Sequence, residues 1–206
     1  EPPKPLQEKD QSVGIIGGGP AGLAASDVLR RKGYQVNIYD RYDRMGGLLV
    51  YGIPNFKLEK KIVKRRVGLL EDAGVIMHCN VNVGSDVSFQ ELRETHDAIL
   101  IATGVYKARE IQVPGVGLQN IFPALDFLIA SNKKGLGYAV QEFDNGQLDA
   151  KGKKLVVLGA GDTAMDCVRT AVRQGAESVT CLYRRDKANM PGSRREVQSV
   201  SYTHLT

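Results

Sequence analysis

The chain has 206 residues, 42% of them hydrophobic and 25% charged, enough to bury a sizeable apolar core and unlike either a disordered or a membrane-spanning composition. Its 28 Lys and Arg against 23 Asp and Glu leave a net charge of +5, an excess that suits phosphate-bearing ligands or an acidic partner and, without basic residues interleaved with aromatics, gives nucleic-acid binding no support. Cys79, Cys167 and Cys181 lie far apart and form no C-x-x-C pair, so the sequence offers no zinc or iron-sulfur ligand run, and with no apolar run of membrane length and no leader pattern a reduced, cytoplasmic setting is expected.

Residues 1–11, with Pro2, Pro3 and Pro5, read as a linker arriving from upstream. Residues 13–40 then read as strand, glycine-rich turn, helix and strand. Gly17, Gly19 and Gly22 fall at G-x-G-x-x-G spacing between an apolar strand (Val13, Ile15, Ile16) and an Ala-rich helical pattern that stops at Gly33. That is the context of a dinucleotide-binding turn. The first glycine permits the tight turn, the second lets backbone approach a pyrophosphate, and the third lets helix and strand pack closely, with free helix N–H groups aimed at the phosphates. Asp40 closes the second strand, where a carboxylate accepts hydrogen bonds from a ribose diol.

The following loop carries Gly46, Gly47 and Pro54, and its length marks it as functional. A helix is expected over 58–73, with Leu58, Ile62, Leu69 and Ala73 on its inner face and Lys60, Lys61, Lys64 and Arg65 on a solvated one. Short strands are expected at 75–77 and 81–83, and Ser88 with Glu91 fits a capping box opening a short helix. The continuous apolar run 98–102 predicts a strand buried on both faces of a parallel sheet. It ends in Ala102, Thr103 and Gly104, small residues at a strand's carboxyl end, where open α/β sheets place ligands. Pro123 can start a helix running to about Ser131, and 144–152 is a polar hairpin or connector.

The second half repeats the first. An apolar strand at 155–158 leads into Gly159, Gly161 and Ala164, a helix through Arg173, a stop at Gly175 and a strand at 179–182. Gly17 to Gly33 and Gly159 to Gly175 span the same sixteen positions. The fold class is therefore α/β, two Rossmann-like dinucleotide-binding units. The copies differ where the second strand ends. The first has Asp40; the second has Tyr183, Arg184 and Arg185, two guanidinium groups suited to a 2'-phosphate that an acid would repel. The second site is accordingly read as binding NADP(H). Thr163 can donate to a phosphate; Asp162 would repel one, which leaves it either an N-cap or a contact to ribose or the nicotinamide amide. Two nucleotide sites on one chain fit electron transfer, since nicotinamide delivers hydride and a flavin accepts it and releases electrons singly. A single-cofactor dehydrogenase would leave one fingerprint unused. His78, His96 and His204 are scattered and read as structural or surface residues, and no catalytic residue or metal ligand is expected.

The runs GGGPAG at 17–22, MGGLLVYGIP at 45–54, ATG at 102–104 and GDTAMD at 161–166 together resemble the small (beta) subunits of bacterial NADPH-dependent glutamate synthases. The resemblance implies an FAD-binding domain over 12–122 and an NADPH-binding domain over 123–198. It implies hydride transfer from NADPH to FAD and onward passage of electrons, through iron-sulfur centres that have no ligands in this chain, to a large (alpha) subunit that forms L-glutamate. By position, Gly17, Gly19, Pro20, Ala21, Gly22, Asp40 and Arg41 would hold FAD, with Gly46, Gly47 and Leu48 beside it and Ala102, Thr103 and Gly104 completing the cradle. Gly159, Gly161, Asp162, Thr163, Ala164, Arg184 and Arg185 would hold NADPH. Flavoprotein reductases of the dihydropyrimidine dehydrogenase or ferredoxin-linked type share this module, and a nucleotide-binding fragment without turnover is the reading from another class. Set against that family, which carries an upstream cysteine-rich domain and a segment returning to the FAD domain, the sequence is expected to be a truncated fragment with both units (FAD/NAD(P)-binding two-domain flavoprotein reductase architecture) incomplete, and residues 199–206 read as a non-native tail.

Overall fold

Short apolar strands alternating with amphipathic helices give two parallel sheets in a computed structural model that describes residues 1–105 and 111–201. The chain divides into one unit of Glu1–Tyr51 with Asn55–Ala108 and another of Gly52–Pro54 with Arg109–Thr206.

In the first unit the elements run β1 (Ser12–Ile16), α1 (Pro20–Arg31), β2 (Gln35–Asp40), α2 (Leu48–Tyr51), α3 (Lys60–Glu71), β3 (Ile76–Cys79), α4 (Phe89–Thr95) and β4 (Ala98–Ile101). The sheet order is β3-β2-β1-β4, all parallel, with Ile16 opposite Tyr39 and Val13 opposite Ala98. Ile15, Val36, Ile38 and Leu70 are fully or almost fully buried in the core beside Leu23, Met45 and Val75. Helix α1 begins at Gly19 with Pro20 in its first turn, a position where the missing proline N–H costs nothing. The capping box forms as expected: Ser88 Oγ accepts the Glu91 N–H at 3.0 Å, and the Glu91 carboxylate accepts the Ser88 N–H at 2.7 Å.

Three expectations are corrected in this unit. The strand at 98–102 is not buried on both faces: β4 is an edge strand, with Leu100 38% and Ile101 64% exposed. Residues 81–83 form no strand; Val83 makes one isolated bridge to Val87, and the segment is loop beyond β3. Helix α3 is shorter than 58–73, and its inner face is turned from the one read, since Val63 and Leu70 are buried while Ile62 is 44% exposed. The loop after Asp40 contains a single helical turn, α2, and residues 8–11 are bonded to the first unit: Arg30 pairs with Glu8, the Lys9 N–H donates to Gly33 O at 2.9 Å, and the Gln35 N–H donates to Gln11 O at 3.0 Å.

In the second unit α5 (Ala124–Gly135) and α6 (Gln141–Asp144) precede β5 (Lys154–Leu158), α7 (Asp162–Gln174), β6 (Ser178–Leu182) and α8 (Arg194–Ser201). Pro123 is the residue capping α5, and the helix runs beyond Ser131. Strands β5 and β6 pair in parallel with Lys154 opposite Ser178. Met165, Val168 and Ala171 of α7 are buried against Val179 and Cys181 of β6, and Gly175 ends α7 in the left-handed conformation at φ +87°. Val156, Leu158 and Leu182 occupy exposed positions on the strands. No helix among the described residues is long and apolar enough to cross a membrane. His204 and residues 202–206 of the expected tail lie outside the described residues.

Candidate functional site

The strand-to-helix turn after β1 is built as its spacing requires. Gly17 has φ +110°, its N–H donates to Tyr39 O at 2.8 Å, and a Cβ there would lie 2.5 Å from the Ala102 carbonyl oxygen. Gly22 is equally constrained, because a Cβ would collide with the Gly17 carbonyl oxygen. Gly19 is different: φ is −74° and a Cβ would meet nothing within 4 Å. The first and third glycines thus serve the fold, and the second borders open space at the start of α1, where Pro20 and Ala21 are exposed. Gly18, outside the expected set, is also crowded, since a Cβ there would run into the Met45 sulfur.

Asp40 is buried, yet both carboxylate oxygens find backbone donors: Oδ2 accepts the Gly18 N–H at 2.6 Å and Oδ1 the Tyr42 N–H at 2.9 Å. Each oxygen accepts one of these bonds and has a second lone pair. The carboxylate therefore shapes the glycine turn, and Asp40 also lines the cleft beside it. A cleft of about 280 Å³ opens at the carboxyl ends of the strands, lined by Gly17, Asp40, Arg41, Thr103 and Gly104 of the expected residues and also by Tyr39, Tyr42, Val81, Asn82 and Val83. The last three were read as a strand. The signal for them was topological: residues following any strand of a parallel sheet belong to the rim of its ligand-bearing end.

The Gly46–Gly47 turn docks on the first glycine turn. The Gly46 N–H donates to Gly18 O at 2.7 Å, and a Cβ on Gly47, at φ +50°, would lie 3.0 Å from Gly19 Cα. Leu48, the first residue of α2, follows directly, and the Lys60 ammonium donates to Leu49 O at 3.0 Å. Burial pulls the Lys60 pKa down to about 8. Ala102 closes the other side, its N–H donating to Ile16 O at 2.8 Å.

Two histidines read as scattered converge on β2. Tyr39 stacks on His78 at 4.4 Å between ring centroids and shares a hydrogen bond between its hydroxyl and His96 Nε2 at 2.9 Å. His96 Nδ1 lies 3.1 Å from Ser12 Oγ, and His78 Nε2 lies 3.0 Å from Asn37 Oδ1. Burial lowers both imidazole pKa values and raises that of Tyr39; for His96 the neighbouring His78 adds to the lowering and Asp97 opposes it.

The second turn repeats the first. The Gly159 N–H donates to Leu182 O at 2.9 Å, as Gly17 does to Tyr39, and Gly159 has φ +124°. Gly161 caps α7 at φ −82°, and a Cβ on it would meet nothing within 4 Å. Asp162 is therefore the first helical residue and not the N-cap; its Oδ1 accepts the Ser193 N–H at 2.8 Å. Thr163 is exposed and Ala164 buried, and a Cβ on Gly159 would sit 3.8 Å from Ala164 Cβ, an ordinary contact that accommodates the third-position alanine. Arg184 and Arg185 are exposed in the bend directly after β6. The three cysteines are free, and burial beside Asp166 pushes the Cys167 thiol up to about 12. Among the described residues no group of three His, Cys, Asp or Glu side chains is placed to hold a metal ion.

Paired parallel β-α-β units, each with an open second glycine at the start of its helix, define a protein of the two-unit dinucleotide-binding class. The chain belongs to the pyridine nucleotide-disulphide oxidoreductase family, whose profile matches residues 11–205. It is 66% identical over 197 residues to the glutamate synthase [NADPH] small chain of Azospirillum brasilense, covering 96% of this chain and 41% of that one. It is 45% identical over 195 residues to the small chain of Escherichia coli K12, covering 95% and 41%. The resemblance read from the four motifs is thus met across almost the whole chain, which spans less than half the length of these relatives. Among solved structures, FprA from Mycobacterium tuberculosis in complex with NADPH superimposes with a TM-score of 0.75 at 23% identity, over 94% of this chain and 48% of that one, a likeness of fold.

Proposed function

We propose that this chain is the dinucleotide-binding part of a glutamate synthase small subunit, holding FAD on the first unit and NADPH on the second. The observation that carries this reading is the contrast between the two turns, alike in backbone but ending β2 in a buried carboxylate and β6 in an exposed arginine pair. In the first unit the residues fit an adenine dinucleotide. Asp40 has oxygens to accept from a ribose diol, the open face of Gly19 admits a pyrophosphate to the N–H groups opening α1, and residues 81–83 line the cleft for the base. Gly46, Gly47 and Leu48 border the same turn. In the second unit the start of α7, with Gly161 open and Thr163 exposed, receives the pyrophosphate, and Arg184 and Arg185 receive the 2'-phosphate.

FAD, when bound, supplies a hydride acceptor that can release electrons one at a time. The chain's own part is to bind, orient and set charge. The next carriers are iron-sulfur centres outside this chain, and the partner is a large subunit forming L-glutamate from 2-oxoglutarate and glutamine-derived ammonia, in a reducing cytoplasm where the three cysteines stay thiols. No nucleic-acid or membrane partner is part of the proposal. Flavin absorbance on the purified chain after incubation with FAD, followed by anaerobic addition of NADPH, tests it. Bound flavin that bleaches with NADPH is the expected result. A protein that takes up NADPH but no flavin would replace this reading with that of a nucleotide-binding module without turnover.

A further inference from the structure

The second unit raises a question the glycine turns do not answer: why an aspartate stands first in α7, where its charge opposes a pyrophosphate. The geometry points to Asp162 as a positioning residue for cofactor choice, whose carboxylate closes the loop carrying Arg184 and Arg185 onto the second glycine turn. This inference rests on the NADPH reading of that unit.

The loop runs from the end of β6 to the start of α8, and both of its ends are fastened to residues 159–162. At its beginning the Gly159 N–H donates to Leu182 O at 2.9 Å. At its end the Gly192 N–H donates to Ala160 O at 2.9 Å, and the Ser193 N–H donates to Asp162 Oδ1 at 2.8 Å. Between them it is braced internally: the Tyr183 hydroxyl donates to Asn189 O at 2.9 Å, and Asp186 Oδ1 accepts from the Asn189 N–H at 3.0 Å and its side-chain amide at 2.8 Å. Gly192 fits because a Cβ there would lie 2.9 Å from Ala160 O. At the closing end the tie to Asp162 comes from a side chain, so replacing that side chain removes it while the backbone tie from Gly192 stays.

The charge arithmetic favours this arrangement. An ionised acceptor makes a hydrogen bond roughly twice as strong as a neutral one, and a carboxylate in the first helical turn is favoured by the helix dipole. Engaging the Ser193 N–H therefore turns a group that would repel phosphate into a fastening for the loop that supplies two cations. Without it, the loop is held at that end by the Gly192 N–H alone, and part of the entropy of fixing the arginines falls on nucleotide binding instead.

The test compares the wild-type chain with D162A, D162N and the double variant R184A/R185A, measuring dissociation constants for NADPH and NADH by fluorescence titration and the exchange protection of the Ser193 amide by hydrogen exchange. D162A is expected to weaken NADPH by about tenfold, the scale of one charge-assisted bond, to change NADH by less than about threefold, and to lose Ser193 protection. D162N, which keeps an acceptor oxygen, is expected to retain most of both. If D162A binds NADPH as tightly as wild type, or loses NADPH and NADH equally, cofactor positioning is wrong; if Ser193 protection is unchanged in D162A, the fastening itself is wrong. Failure of the underlying NADPH reading is separate: it shows as an unaltered NADPH preference in R184A/R185A, whatever Asp162 does.

Discussion

Single residues in the two turns divide into those that hold the chain and those that leave room. Gly17 does the former: φ +110° disfavours any side chain, and the Ala102 carbonyl would lie 2.5 Å from an added Cβ. Gly19 does the latter, with an ordinary φ of −74° and nothing within 4 Å of the added atom. Substituting alanine at each should therefore separate stability from binding. Gly17→Ala should cost on the order of 1–3 kcal/mol from backbone strain, with a further penalty for displacing Ala102 and Thr103 just beyond β4. Gly19→Ala should leave stability within about 0.5 kcal/mol and weaken FAD binding, because its Cβ enters the space a pyrophosphate would use. Urea melts and flavin fluorescence titrations on the two variants check this. A destabilised Gly19→Ala with undiminished FAD binding would reverse the assignment of roles.

At the scale of elements, β2 carries two different surfaces on alternate residues. Val36 and Ile38 enter the core, while Asn37 and Tyr39 join His78, His96 and Ser12 in a hydrogen-bonded and stacked row. Burial holds both imidazole pKa values below the ordinary 6.5, the unfolded chain returns them to it, and so below pH 6.5 the unfolded state binds more protons. Stability from this row is complete above pH 6.5 and is lost as pH falls toward the folded-state values. Urea midpoints at pH 7.5 and 5.5 should differ less in a H78N/H96N double variant than in the wild type; an equal difference would show that the row titrates without consequence. Nothing in the sequence brought these histidines together, because their meeting depends on β3 and the end of α4 reaching one side of β2. The glycine turns were legible because their requirements are local, in φ and in spacing. Helix α3 was legible as an element but not in its orientation, since Leu69 and Leu70 both satisfy a loose apolar period and only packing selects Leu70. The run at 98–102 misled because apolar composition reports the capacity for burial, while an edge position leaves Ile101 exposed.

Across the whole chain, the same backbone solution is used twice with opposite charge at its end, and this is what distinguishes the two units chemically. In the first, the glycine N–H at 17 is anchored to Tyr39, and the next residue is the buried acid Asp40. In the second, Gly159 is anchored to Leu182, and Tyr183 leads into exposed Arg184 and Arg185. A buried acid ending β2 would repel a 2'-phosphate, whereas two guanidinium groups attract one. The second unit should therefore favour the phosphorylated nicotinamide cofactor, and the preference should reside in those two side chains. A charge-assisted hydrogen bond contributes roughly 1.5–3 kcal/mol, so R184A/R185A should weaken NADPH by one to several powers of ten while shifting NADH by less than about threefold. Because the interaction is between exposed charges, the wild-type preference should shrink as salt rises from about 0.05 to 0.5 M, where the screening length falls well below 10 Å, and the double variant should show little of that salt dependence. Equal losses of NADPH and NADH in the variant, or a preference indifferent to salt, would mean that the arginines support the loop and not the phosphate.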